Sequence, residues 1–279
     1  MNGILLVNKP KGMTSHDVVN KLRRILHMKK IGHTGTLDPN AEGVLMVLLG
    51  NSCKILPFIK NDIKEYVAKM TFGYTSDTLD IWGNLEEFEV ESYPTVDEVK
   101  DVMTTFMGKQ LQIPPMVSAI KVNGKKLYEY AREGIEIERK AREIEIFELD
   151  LLSYDKDIEL RCLCSSGTYI RSLCVDIAEK LGQKGVLSSL VRTRIDQFTL
   201  DQTYTLEQIE NGEYSLLTNY EVLNKYPYIV YNKIEDVKNG KRIQLPCRDD
   251  MVMIVSGEEV IAAYQHVNNG IYEAKRGLW

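Results

Sequence analysis

Residues 32–45 read GHTGTLDPNAEGVL, and no other stretch of the 279-residue chain carries as much information. The stretch lacks the G-K-[ST] ending of a Walker phosphate loop, and its glycines do not follow the dinucleotide-binding spacing. Gly32 and Gly35 allow the backbone to approach a ligand closely. Pro39 disfavours the helical conformation at Asp38. Taken alone, Asp38 is therefore either a turn or capping residue or a catalytic carboxylate.

Regular elements are predicted on both sides of this loop. A short apolar strand at 3–7 leads through turn residues into a helix that is capped by Thr14, and 43–49 form a buried strand or a short helix. Further along, the patterns predict strands at 65–72, 141–154 and 158–164 and helices that begin near Thr95 and Thr168. Because the strands and helices do not alternate regularly, we expect an α+β fold.

The pattern changes beyond Tyr220. Short strands are expected there, separated by Gly-containing turns, at 228–231, 251–255, 260–265 and 271–274. We therefore predict two domains, a larger one over 1–219 and a small β-rich one over 220–279.

Composition and charge limit the possible functions. Hydrophobic residues make up 44% and charged residues 27%, which is typical of a globular protein. The longest apolar run, 44–49, is too short to cross a membrane, and we expect a cytoplasmic protein whose five cysteines are reduced. The histidines show no metal-ligand spacing, so no metal is expected. Although the net charge is −5, residues 1–60 carry nine Lys and Arg against three Asp and Glu, which favours a polyanion partner.

Several motifs, in order, resemble the TruB family of tRNA pseudouridine(55) synthases. The stretch 32–45 resembles the catalytic loop of that family. Five further stretches match it in order and spacing: GILLVNKPKGMTS at 3–15, KEY at 64–66, PPMVSAIKVNGKKLYEYAR at 114–132, SGTYIR at 166–171 and LVRT at 190–193. The resemblance covers about residues 1–200.

The resemblance implies the pseudouridine synthase fold. In it, helices flank a central mixed, mostly antiparallel sheet, and a small β-rich PUA-like domain follows at the C-terminus. It also implies that uridine 55 in the T-loop of tRNA is isomerised to pseudouridine with base flipping and without a cofactor. On this view Asp38 is the nucleophile, Arg171 forms an ion pair with it, and Tyr66 stacks on the base and assists proton removal.

The resemblance also implies which residues bind the RNA. His33, Leu190, Tyr169 and Asp80 would contact the substrate nucleotides. Phosphate contacts are expected from lysines in the N-terminal motif and in a mobile RNA-binding insertion over about 114–142. These lysines are Lys9, Lys11, Lys121, Lys125 and Lys126. The partner would be the T-arm of tRNA, and we expect a monomer with no obligate protein partner and no membrane association.

Three other functions compete with this one. A non-catalytic RNA-binding protein or tRNA-folding chaperone could share this scaffold, but Asp38, Tyr66 and Arg171 are all present. A guide-RNA-dependent rRNA pseudouridine synthase would share the Asp38 loop but lack the insertion motif at 124–132. A small-molecule enzyme is supported by no cofactor or metal motif.

Overall fold

The computed structural model describes residues 1–60 and 62–279, which form two compact units. The first unit comprises 1–39, 44–60 and 201–279, and the second comprises 40–43 and 62–200. Within these described ranges, no helix is both long enough and apolar enough to cross a membrane.

The N-terminal part of the first unit contains one helix that packs on an apolar core. Its elements are β1 (Gly3–Lys9), α1 (Ser15–Ile25), β2 (Ile31–His33), β3 (Glu42–Leu49) and a 3-10 helix (Gly50–Phe58). Thr14 caps α1 as predicted, since its hydroxyl accepts from the N–H of Asp17 and the Asp17 carboxylate accepts in return. Residues 43–49, for which the sequence left both a buried strand and a short helix open, form a strand. The structure also places a short strand, β2, where the sequence predicted only loop.

The second unit is built on long strands. Its elements are β4 (Ile63–Phe72), β5 (Tyr74–Ser76), β6 (Leu85–Glu87), α2 (Val96–Thr104), β7 (Gly108–Gln112), β8 (Lys121–Val122), β9 (Lys125–Lys126), α3 (Leu127–Arg132), β10 (Arg142–Tyr154), β11 (Asp157–Ser165), α4 (Ile170–Lys180), β12 (Gly185–Ile195) and β13 (Phe198–Thr199). On β4 every second side chain is buried, from Tyr66 to Phe72, as the alternation predicted.

The main sheet of the second unit is mixed but mostly antiparallel. Its strands lie in the order β12, β4, β11, β10, β7, and each neighbour runs antiparallel to the next. Glu42 and Gly43 add one parallel pairing, with Val191 and Arg192 of β12. The predicted α+β fold with a mixed, mostly antiparallel sheet is confirmed. Cys162, Cys164 and Cys174 are buried in the core, and their thiols are free.

The C-terminal part of the first unit contains a second sheet. Its elements are a 3-10 turn (Leu200–Gln202), α5 (Leu206–Glu210), α6 (Asn219–Val222), β14 (Tyr228–Val230), α7 (Ile234–Lys238), β15 (Ile243–Gln244), β16 (Met251–Ser256), β17 (Glu259–Asn268) and β18 (Ile271–Gly277). The strands pair in the order β14, β16, β17, β18, β15 around a core that includes Tyr264 and Tyr272. The four strands predicted in this region are confirmed, whereas the domain boundary at residue 220 stays a prediction.

Candidate active site

Asp38 lies half-buried in the loop between β2 and β3, and the backbone before it is held by α1. The preceding residue, Leu37, is buried. Its N–H donates to the hydroxyl of Ser15 at 2.9 Å, and its carbonyl accepts from the same hydroxyl at 3.3 Å. One buried hydroxyl can bond both groups because it is a donor as well as an acceptor. The position of Asp38 is therefore set partly by the first residue of α1.

The backbone after Asp38 is held by Lys9, the last residue of β1. Lys9 is 0% exposed, and its ammonium donates to the carbonyls of Pro10 (2.9 Å), Met13 (2.6 Å) and Pro39 (3.0 Å). The structure therefore does not support the prediction that Lys9 contacts RNA phosphate, because its charge is buried and bonded to the protein's own backbone. Lys11, two residues on, is exposed and remains a candidate for phosphate contact.

His33 is the last residue of β2 and lies half-buried opposite Val47 of β3. The first unit thus carries His33, Asp38, Lys9 and Lys11 of the predicted site. The second unit carries the others, namely Tyr66, Asp80, Lys121, Lys125, Lys126, Tyr169, Arg171 and Leu190. The ion pair of Asp38 with Arg171 stays a prediction.

Arg171 is the second residue of α4 and is 3% exposed, so it is not an ordinary surface arginine. Its guanidinium donates to the carbonyls of Thr78 and Val117, each at 2.8 Å. The carboxylate of Asp80 lies 3.9 Å from the same guanidinium. The other oxygen of that carboxylate accepts from the Thr78 hydroxyl and the N–H of Trp82. These contacts hold the cation although it lies at a helix N-terminus, where the helix dipole disfavours positive charge.

Tyr169 and Leu190 are placed by different elements. Tyr169 is the N-cap of α4, and the side chain of Gln112 bonds both its N–H (2.8 Å) and its carbonyl (3.1 Å). Leu190 lies on β12 opposite Ala68 and is 7% exposed. Leu190 is therefore a buried apolar side chain, and its place in a base pocket stays a prediction.

Tyr66 lies on β4 and is also only 7% exposed. Burial raises the pKa of Tyr66 to about 12, while the positive charge of Arg192 acts in the opposite direction. Lys64, on the same strand, donates to the hydroxyl of Ser166 at 3.2 Å. Burial and the charge of Arg192 lower the pKa of Lys64 to about 8.

Arg192 is the residue of this site that the sequence did not single out. It is 1% exposed, and the strand register places it opposite Tyr66. Its signal in the sequence is its position in the LVRT stretch at 190–193, a stretch that carries the family resemblance but does not by itself assign a role to Arg192. Combining that stretch with the pairing of β12 and β4 would have found it.

The insertion presents basic and aromatic side chains together. The lysines predicted to contact RNA there are Lys121, Lys125 and Lys126. The ammonium of Lys125 lies 4.7 Å from the ring centre of Tyr130 and also pairs with Glu133. The ammonium of Lys126 lies 5.3 Å from the ring centre of Tyr128. These contacts hold the lysine side chains beside aromatic faces near the protein surface.

Solved structures show the class of protein to which this fold belongs. A chain of the crystal structure of a Cbf5-Nop10-Gar1 complex matches with a TM-score of 0.75 and 24% identity, over 99% of this chain and 85% of that one. A chain of an H/ACA RNP bound to a substrate RNA containing 2'-deoxyuridine matches with a TM-score of 0.74 and 22% identity, over 99% and 85%. The fold is that of the pseudouridine synthases.

Sequence comparisons narrow this class to one family. The model of the "TruB family pseudouridylate synthase (N terminal domain)" matches residues 23–170, and that of the "tRNA pseudouridylate synthase B C-terminal domain" matches 171–225. The tRNA pseudouridine synthase B of Oceanobacillus iheyensis is 43% identical over 95% of this chain and 93% of that protein. The same-named protein of Alkaliphilus oremlandii is 46% identical over 93% and 89%. This chain belongs to the TruB family of pseudouridylate synthases and is an isomerase.

Proposed function

We propose that this enzyme converts uridine 55 in the T-loop of tRNA to pseudouridine, with Asp38 as the nucleophile and no cofactor. The named tRNA enzymes among its relatives support the substrate class. The observation that carries the role of Asp38 is the way its loop is held, because Ser15 bonds Leu37 on one side and Lys9 bonds Pro39 on the other. A nucleophile needs this kind of fixed placement.

The reaction exchanges bonds within one nucleotide. The N1–C1' bond of uridine breaks and a C5–C1' bond forms, while C5 loses a proton and N1 gains one, so no redox partner or group donor takes part. In the proposed mechanism the Asp38 carboxylate supplies the electron pair, and Arg171 keeps that carboxylate ionised through an ion pair. Because Asp80 and two carbonyls hold the Arg171 guanidinium, its charge is fixed in direction.

Tyr66 is proposed to take the proton from C5 and to contact the uracil ring. Burial favours the neutral phenol, and the positive charge of Arg192 acts in the opposite direction, toward the ionised form that a base requires. Leu190 would form an apolar wall of the uracil pocket. Tyr169 and Asp80 would line the remaining sides. His33 would occupy the space of extruded bases after the target uridine flips out, which costs a few kcal/mol of stacking.

The RNA would be held by charge around this site. Lys11 in the first unit, and Lys121, Lys125 and Lys126 in the insertion, are the proposed contacts to T-arm phosphates. We further propose that residues 220–279 act as a small PUA-like RNA-binding domain and that the enzyme works in the cytoplasm as a monomer.

The test is tritium release from tRNA labelled at C5 of uridine. We expect the wild type to release tritium and Asp38→Asn to release none, while the two bind tRNA within a few fold of each other. Asp155→Asn removes a carboxylate from an exposed turn and should release tritium at the wild-type rate. Retained activity of Asp38→Asn would remove Asp38 as the nucleophile. If the wild type bound tRNA tightly without release, a tRNA-folding chaperone would replace the enzyme proposal.

A further inference from the structure

The backbone of Arg192 is fixed from both sides in the second unit. On one side Arg192 pairs antiparallel with Tyr66 of β4, and on the other it pairs in parallel with Gly43. Gly43 has a φ of +105°, and a Cβ atom there would lie 2.2 Å from the carbonyl oxygen of Arg192. Only glycine permits this approach, so the pairing next to Arg192 depends on the absence of a side chain.

The residue after Arg192 forms a bulge that is tied to the other face of the sheet. The register of β12 against β4 shifts between Arg192 and Arg194, which leaves Thr193 as the extra residue. The hydroxyl of Thr193 donates to one oxygen of Glu65 at 2.7 Å, and Arg161 donates to the other oxygen at 2.8 Å. Bulges next to functional sites redirect neighbouring side chains. Here the bulge follows directly on the pairing of Arg192 with Tyr66.

The charge of Arg192 acts on Tyr66 in one direction. Residues directly opposite each other in an antiparallel pair have neighbouring side chains on one face of the sheet, and both of these side chains are buried. The cation stabilises negative charge on the phenolic oxygen, and it does so more strongly in a buried site than in water.

We propose that Arg192 is a positioning residue for the reaction. Its guanidinium stabilises negative charge on the phenolic oxygen of Tyr66. The Tyr66 hydroxyl first loses its proton to water, the phenolate then takes the proton from C5, and Arg192 keeps all its own protons throughout. This inference rests on the proposed function of Tyr66.

Other titratable groups surround Tyr66 and must be considered in any pH experiment. They are Cys162 and Cys164 on β11 and Lys64 on β4. Helix α4, which packs against β12 and β4, also carries Arg171 and Cys174. The two thiols of β11 oppose ionisation of Tyr66, as burial does. Among the groups that act most strongly on Tyr66, only Arg192 favours its ionised form.

The first experiment measures the contact directly, without RNA. Difluorotyrosine is placed at position 66 of the full chain, and its ionisation is followed by fluorine NMR, because the fluorinated phenol titrates at a lower pH. In Arg192→Gln we expect the midpoint to rise by about one pH unit or more. In Arg192→Lys, which keeps a charge, the rise should be smaller. Lys69→Gln removes a surface cation from the same strand and should leave the midpoint unchanged.

The second experiment measures the reaction in single turnovers with C5-tritiated tRNA. We expect Arg192→Gln to react about 10- to 100-fold more slowly at pH 7.5 while its tRNA affinity stays within about threefold. Difluorotyrosine at position 66 should recover part of this loss, because a more acidic phenol needs less help from the cation. A loss of rate that came only from disturbed packing would not recover in this way.

The outcomes separate the inference from the proposed function. A midpoint that does not move in Arg192→Gln or Arg192→Lys would overturn the inference, whatever the rates are. A midpoint that moves without a change in rate would overturn the role of Arg192 in the reaction. Failure of the wild type to release tritium would instead count against the proposed function. If Arg192→Gln does not fold, Arg192→Lys carries both measurements.

Discussion

The strand pair β4–β12 and the insertion over 114–142 are both basic, but they hold their charges differently. On the strands, Arg192 is 1% exposed, and backbone pairing places it opposite Tyr66. In the insertion, Lys125 and Lys126 are only half-buried and rest on tyrosine rings. A buried cation acts strongly on its neighbours, whereas a cation near the surface acts on a diffusing polyanion. We therefore expect substitutions on the strands to change the rate and substitutions in the insertion to change the affinity.

Tyr66→Phe should have the largest effect on the strand side of this comparison. It removes the hydroxyl but keeps the ring, so the fold and the base contact are retained. We expect the single-turnover rate to fall at least about 100-fold, which is typical of losing a general base, with tRNA affinity within a few fold. Tyr74→Phe makes the same change at a tyrosine of β5 whose hydroxyl contacts Glu87, and it should react like the wild type. A wild-type rate for Tyr66→Phe would leave Tyr66 with a packing role only.

Lys9→Met tests the same distinction, between buried and exposed cations, in the first unit. The change removes a buried ammonium and leaves the partly buried carbonyls of Pro10, Met13 and Pro39 without this donor. We expect the free energy of unfolding to fall by about 2–3 kcal/mol. Lys11→Met, at an exposed lysine, should change it by less than about 0.5 kcal/mol. Urea denaturation measures both. Equal effects of the two substitutions would contradict the distinction between a buried and an exposed lysine.

Substituting Lys125 and Lys126 together by Ala tests the insertion side. We expect tRNA affinity to weaken about tenfold at 0.1 M salt, and the log–log salt dependence to become less steep by about one to two. The rate at saturating tRNA should stay at the wild-type value. Lys109→Ala removes an exposed lysine of β7 and serves as the control. A lower saturated rate with unchanged affinity would reverse the roles of the two regions.

Lys64→Met should have the smallest effect, a change in the free energy of unfolding that depends on pH. The pKa of Lys64 is lowered from 10.5 to about 8 in the folded chain, so between these values the unfolded chain binds more protons. Wild-type stability should therefore rise with pH relative to Lys64→Met, by about 1 kcal/mol from pH 8 to pH 9. Urea denaturation of both proteins at these two pH values provides the check. If the difference in unfolding free energy between the two proteins were the same at both pH values, Lys64 would not be desolvated.

Much of the fold and part of the site could be predicted from local pattern. Alternation along 65–72 predicted which face of β4 is buried, and Thr14 with Asp17 predicted the start of α1. The strand β2 was missed because three residues are too few to show a period. Arg192 was missed because its importance comes from the strand register rather than from its own neighbours in the chain.

The sequence by itself determined the family, the sheet-forming segments and the candidate nucleophile Asp38, because these depend on the order of motifs and on local periodicity. Only the tertiary structure decided which charges are buried. Lys9 and Lys11 belong to one motif, yet Lys9 is buried and bonds three backbone carbonyls, whereas Lys11 is exposed. Likewise, only strand pairing brings Arg192 to Tyr66. Burial and register arise from contacts between segments that are distant in the chain, and no local pattern contains them.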